Sequence, residues 1–172
     1  MTELEAFRKA KDDFFRRGPG SPLTPAQKKG FQGLVYFSEN PALRFELALE
    51  RYENPARVQM QTSKGTVKEY LKIGQVRFQV AGDHAALQVY ESAAHPGMYF
   101  IPFVDATAPA ESYAAGRYLE PAEAPAGKLV VDFNLAYNPY CVYGDGWACP
   151  IPPPENRLRV RIEAGEKNFH VP

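Results

Sequence analysis

The residues of this chain best equipped for chemistry fall into two runs, Asp105-x-Thr107 with Tyr113 and Arg117, and Asp132-x-Asn134 followed by Tyr137-Asn138-Pro139-Tyr140. Asp105 and Thr107 end the apolar run Tyr99 to Val104, an arrangement that can set a carboxylate and a hydroxyl at a rim with Arg117 returning as a charged partner. The competing reading is an Asx or Ser/Thr turn with Tyr113 anchoring the loop. Asp132 interrupts Leu129-Val130-Val131, so its carboxylate must be compensated, and Arg117 or Arg157 is the expected partner. One aspartate with no histidine or second carboxylate at a recognisable spacing is a weak general base, and Asp-x-Asn lacks the remainder of a calcium loop.

Cys141 and Cys149 bracket a loop that holds the single tryptophan, Trp147. Two reduced thiols are the leading reading, ahead of a disulfide, a metal site and a catalytic cysteine, because no neighbouring base or second pair of ligands stands at a motif spacing. Aromatic rings on either side of the Asn138-Pro139 turn suit the wall of an apolar pocket, or pin the loop to the domain, and the turn itself is a place for a cis peptide. Pro150-Ile151-Pro152-Pro153-Pro154 reads as a polyproline II rod delivering Glu155-Asn156-Arg157 to a last strand, in which Leu158, Val160 and Ile162 face inward and three arginines outward. Glu166 follows Gly165 in the closing turn, within reach of those arginines or of a site.

These residues need a frame. Thr2-Glu3-Leu4-Glu5 has the form of a capping box, and Leu4, Phe7, Ala10 and Phe14 recur at helical spacing, which predicts an amphipathic helix over 3–17 lying on the sheet. Thr24-Pro25-Ala26-Gln27 starts a second, short helical turn that ends at Gly30. From Leu43 the period becomes 2: Leu43 to Leu49, Val58 with Met60, and Val76 to Val80 each alternate apolar with polar residues. Such alternation belongs to antiparallel strands with one buried face. Turns are expected at 53–55, 63–65, 73–74 and 82–84, and further strands at 86–92, 98–104, 115–119, 129–133 and 157–163. The expected fold is therefore mainly β, an antiparallel meander forming a closed or partly open barrel or a curved sandwich, with an N-terminal amphipathic helix and a long proline-rich C-terminal loop. A chain of 172 residues suits a single domain, 1–30 helical and 31–172 β.

The spacing Asp132-x-Asn134-x-x-Tyr137-Asn138-Pro139-x-Cys141, with Cys149-Pro150-x-Pro152-Pro153-x-Glu155-Asn156-Arg157-Leu158 and Ala164-Gly165-Glu166, resembles the signature of a bacterial family known as domain of unknown function 1684. Phe103-x-Asp105-x-Thr107, Tyr113-x-x-Gly116-Arg117-Tyr118-Leu119, Phe31-x-Gly33-Leu34-x-Tyr36-Phe37 and Ser21-Pro22-Leu23 are similar to that family too. The resemblance implies that these polar positions form one site, and it brings no established activity.

Twenty basic and twenty acidic residues leave no net field to gather nucleic acid or anionic lipid. No run approaches the roughly 18 apolar residues of a membrane span, and the acidic N-terminus is unlike a signal peptide. A cytoplasmic protein is expected, with no nucleic-acid or membrane partner, no metal, an unknown cofactor requirement and an unknown oligomeric state. The leading function is small-ligand binding in a polar pocket lined by the 105–117 and 132–157 segments: Asp105, Thr107, Tyr113, Arg117, Asp132, Asn134, Tyr137, Asn138, Asn156, Arg157 and Glu166. The alternatives are a hydrolase-type enzyme with Asp132 or Asp105 as base, and a structural or protein-interaction domain in which the polar groups satisfy one another.

Overall fold

A computed structural model describes residues 1–170. Helix α1 (Glu3–Arg17) begins in the predicted capping box, with the Thr2 side chain accepting from the Glu5 N–H and the Glu5 carboxylate from the Thr2 N–H. Helix α2 (Pro25–Gly30) repeats the device with Thr24 and Gln27. The buried face of α1 differs from the predicted one. Phe7 and Phe14 are exposed, and Phe15 is the buried ring, in a small aromatic core with Leu23, Phe31 and Tyr143. The inward stripe is largely polar: Arg8 lies 4.3 Å from the centre of the Tyr36 ring, Lys11 pairs with Glu166 at 2.7 Å, and the Asp12 carboxylate accepts from the Leu34 N–H at 2.9 Å. The helix thus docks by charge-assisted contacts on the loops instead of lying apolar face down on the sheet.

Strands β1 (Arg44–Ala48), β2 (Glu50–Gln61), β3 (Val67–Val80), β4 (Asp83–Ser92), β5 (Tyr99–Phe103), β6 (Arg117–Leu119), β7 (Ala122–Ala124) and β8 (Lys128–Asp132) form two antiparallel sheets, ordered β1-β8-β7 and β2-β3-β4-β5-β6. Only Leu49 separates β1 from β2, so the chain turns a corner from one sheet into the other there. The main core lies between the sheets and includes Val76, Leu87, Ile101, Leu129 and Phe133, with Phe45 of β1 and Phe78 of β3 at 5.3 Å between ring centres.

The turns expected at 53–55 and 73–74 are bulges within long strands. Arg51 pairs with Gly74 and Ala56 with Lys72, so the Tyr52–Pro55 stretch stands opposite Ile73 alone. Gly74 is required by close approach, since a Cβ there would lie 2.5 Å from the Glu50 carbonyl oxygen. Strand β7 was not anticipated from the sequence.

The sheets do not close into a barrel. The predicted strand over 157–163 is missing, although its alternation is kept: Leu158 and Ile162 are buried and Arg157, Arg159 and Arg161 exposed. Its backbone bonds to the chain after β5 only at Leu158 N–H to the Val104 carbonyl (2.7 Å), Ala106 N–H to the Val160 carbonyl (2.9 Å) and Val104 N–H to the Asn156 carbonyl (3.1 Å). Beyond that, side chains take the place of a ladder. Asp105 accepts from the Ile162 N–H, and Arg117 donates to the carbonyls of Ile162, Ala164 and Glu166. Of the proline-rich segment, Pro153 is extended, a 3-10 turn follows at Pro154–Asn156, and the Ile151 N–H donates to the Gln61 carbonyl at the end of β2. No helix among the described residues is long and apolar enough to cross a membrane.

Candidate functional site

The polar residues singled out by the sequence gather in separate networks. In the first, Asp105 is buried and accepts four hydrogen bonds, from the Thr107 N–H and hydroxyl, the Arg117 guanidinium (3.1 Å) and the Ile162 N–H (2.7 Å). Thr107 in turn meets Ser112 at 2.7 Å. Arg117, 1% exposed, sits between the Phe37 and Phe103 rings with all but its Nε bonded. Burial lowers its pKa and the Asp105 charge opposes that, so the guanidinium stays a cation held by its counter-ion.

The second network joins the first through Glu166, whose carbonyl accepts from Arg117. The Glu166 carboxylate, buried beneath α1, accepts from Lys11 (2.7 Å), the Tyr143 hydroxyl (3.3 Å) and the Asn138 N–H (3.4 Å), and the Asn138 amide donates to the Lys167 carbonyl. Its left-handed neighbour Gly165 (φ +78°) admits no side chain, because a Cβ would lie 2.7 Å from the Ala136 and Phe133 carbonyl oxygens.

Asp132 belongs to neither network. It caps a 3-10 turn, accepting from the Asn134 N–H and amide, and Asn134 exchanges bonds with the Asn40 backbone. Neither predicted arginine reaches it: Arg117 is taken by Asp105, Arg157 is exposed, and Arg44 stands 3.9 Å away. Asn156 is also separate. Fully buried, it bonds the Gln88 N–H and carbonyl and the Pro102 carbonyl, standing in for a strand where β4 and β5 part. Tyr113 lies by Cys141, its hydroxyl 3.9 Å from the sulfur. Both cysteines are free, and the cis peptide is at Ala108-Pro109 instead of Asn138-Pro139.

Most of these polar groups bond to the protein, the Arg117 Nε and the Asn138 Oδ1 being buried without a partner, and no cleft among the described residues is lined by both Asp105 and Asp132. Two of the sequence-derived ligand-binding candidates reach open clefts: Asp132 lines one of about 620 Å³ with Glu39, Arg44 and Leu135, and Tyr137 lines one of about 650 Å³ between α1 and the loop carrying Trp147. The walls of the latter are Phe7, Tyr118, Tyr137, Tyr140 and Trp147, with Lys11 and Lys68 the charged groups and Cys149 at its edge.

Four of the five rings are fixed from behind, and Phe7 is exposed. Tyr140 meets Trp147 edge-on at 5.1 Å, and Tyr118 meets Tyr137 edge-on at 5.7 Å. Tyr118 donates to the Pro150 carbonyl, and Tyr137 to Glu120 at 2.5 Å. The 147–149 backbone is stitched to the hairpin at Ser63, whose hydroxyl donates to the Trp147 carbonyl and accepts from the Cys149 N–H, while its own N–H donates to the Cys149 carbonyl. Lys11 is held over the Tyr137 ring at 4.9 Å by Glu166. The network around Glu166 therefore positions this cleft from below.

Burial raises the pKa of Tyr118 and Tyr137 well beyond the usual phenol value, and pushes the Cys149 thiol up to about 11, partly offset by the Cys141 N–H that donates to its sulfur and, less, by Lys68. The groups that would act as nucleophiles are thus protonated at neutral pH. Among the described residues no group of three or more His, Cys, Asp or Glu is placed to hold a metal ion. The sequence signal for this cleft was the pair Tyr137 and Tyr140 on either side of the Asn138-Pro139 turn; Phe7, Lys11 and Lys68 arrive from distant segments and had none.

The profile of the family described as Protein of unknown function (DUF1684) matches residues 29–167. Among solved structures, the solution NMR structure of an uncharacterized protein of Haloarcula marismortui is similar, with 36% identity and a TM-score of 0.72, covering 96% of this chain and 92% of that one. Among curated proteins no sequence matches the chain.

Proposed function

We propose that this chain, which belongs to the DUF1684 family of proteins of unknown function, is a small-molecule-binding protein whose site is the aromatic cleft under α1. One observation carries the reading: five aromatic side chains, four of them (Tyr118, Tyr137, Tyr140 and Trp147) braced by packing or a hydrogen bond, wall an open volume of about 650 Å³, which is the size range of small-ligand pockets. Rings that are already held lose little freedom when a ligand stacks on them, so the site is preorganised for a flat or apolar body. The buried Asp105–Arg117 and Glu166 networks serve as its scaffold. A hydrolase using Asp105 draws less support, because four hydrogen bonds already occupy that carboxylate and no open cleft among the described residues reaches it.

The test is thermal denaturation against a panel of metabolites, in the natural chain and in Trp147→Ala, Tyr140→Ala and Asp132→Ala. A ligand present at a hundred times its Kd stabilises by about 2.7 kcal/mol, a rise of roughly 5 to 11 °C for a domain of this size. That rise should vanish in Trp147→Ala and Tyr140→Ala and persist in Asp132→Ala. A rise lost in Asp132→Ala and kept in the two aromatic variants would place binding elsewhere and refute the reading.

A further inference from the structure

We infer that the ligand of this cleft is an amphipathic anion, a flat apolar body bearing one carboxylate, sulfonate or phosphate, with Lys68 as its anchor. The inference rests on the binding reading above and adds the ligand's charge. The chain as a whole is balanced, with 20 basic and 20 acidic residues, yet the cleft is lined by two lysines and by no acidic residue. The lysines are not equivalent. Lys11 is spoken for by the Glu166 carboxylate at 2.7 Å. Lys68 is exposed on β3 and forms no ion pair among the described residues.

Position strengthens the point. By strand alternation Lys68 shares the face of β3 with buried Tyr70. It also stands where this cleft runs into a second one of about 640 Å³, for both clefts are lined by Lys68, Tyr118, Tyr137 and Pro150. The second cleft holds the acidic groups Glu69 and Glu120, the latter accepting from the Tyr137 hydroxyl. Charge therefore differs along the groove: Lys68 stands at the junction, the Trp147 side carries no carboxylate, and Glu69 and Glu120 lie beyond. An anion is attracted on the first side and repelled on the second, which fixes which way a ligand's head group points.

Trp147 is the single tryptophan of the chain and lines the cleft, so its emission reports occupancy directly. The probes are 8-anilinonaphthalene-1-sulfonate, a flat anion, and N-phenyl-1-naphthylamine, its neutral counterpart, each titrated against the natural chain, Lys68→Gln and Lys68→Glu. The substituted position is an exposed strand residue, and unchanged circular dichroism and melting temperature establish that each variant is folded. The expected result is quenching of Trp147 with energy transfer to the bound sulfonate, a Kd raised about three- to tenfold by Lys68→Gln and further by Lys68→Glu, and weakening with added salt. The neutral probe should be insensitive to both. If Lys68→Gln leaves the Kd of the sulfonate within threefold of the natural value, the inference is overturned while binding in the cleft stands. If neither probe alters Trp147 emission, the cleft reading falls with it.

Discussion

Replacing Asp105 by alanine removes the counter-ion of a guanidinium that is 1% exposed, and its cost follows from the contacts. The carboxylate accepts four hydrogen bonds, two of them from backbone N–H groups at Thr107 and Ile162. With the side chain gone, Arg117 keeps its charge and its three carbonyl acceptors but faces no anion, and breaking a buried pair this way costs about 3 to 5 kcal/mol. That is a fifth or more of the roughly 5 to 15 kcal/mol that holds a domain together, or a fall in Tm of about 6 to 20 °C. Equilibrium urea unfolding reads the loss. The companion Asp105→Ala/Arg117→Met removes the stranded charge as well, so it should be less destabilised than the sum of the two single variants, by about 0.5 to 3 kcal/mol. A single-variant loss below about 1 kcal/mol, or full additivity in the pair, would refute the assignment of this ion pair as the strut that replaces a strand.

Two further outcomes follow from the same structure. Gly165→Ala forces a Cβ to within 2.7 Å of two carbonyl oxygens at positive φ, so chemical denaturation should show a loss of more than about 1 kcal/mol; a neutral substitution would mean the turn relaxes freely. At alkaline pH, the Cys149 thiol deprotonates near 9 when unfolded and near 11 when folded. The folded state therefore holds a proton that the unfolded chain has released, and stability is whole below pH 9 and declines towards pH 11. Burial raises Tyr113 to about 12 and acts in the same direction. Urea unfolding between pH 8 and 11 should show this decline, made shallower by Cys149→Ser, and stability that is flat or rising with pH would contradict it.

What could be read from the sequence was what local physics decides. The capping boxes at Thr2 and Thr24 and the period-2 runs of β1, β2 and β3 need only near neighbours to be recognised, and they form where expected. The turns misread at 53–55 and 73–74 failed for the same reason: Pro55 and Gly74 are turn residues by composition, but here one stands in a bulge and the other admits a neighbouring strand. The strand expected at 157–163 kept its burial alternation and lost its ladder, because Asp105 and Arg117 satisfy the backbone first. Side-chain pairing was the least legible. Asp132 could not be distinguished from Asp105 as the partner of Arg117, and the polar inner face of α1 depends on Glu166, which lies 155 residues from Lys11. The cleft was half visible, since Tyr137 and Tyr140 suggested an aromatic wall, whereas Lys11 and Lys68 reach it only through the tertiary fold.

The most direct test of the central claim is a titration followed by nitrogen–proton correlation spectra, in which the single tryptophan gives one indole N–H signal. Any compound that raises the melting temperature should move the Trp147 indole together with the amides of Tyr118, Tyr137, Tyr140 and Ala148, and leave those of Arg44, Asp132 and Asn134 in place. Shifts confined to Arg44, Asp132 and their neighbours, with the Trp147 indole unmoved, would contradict the account.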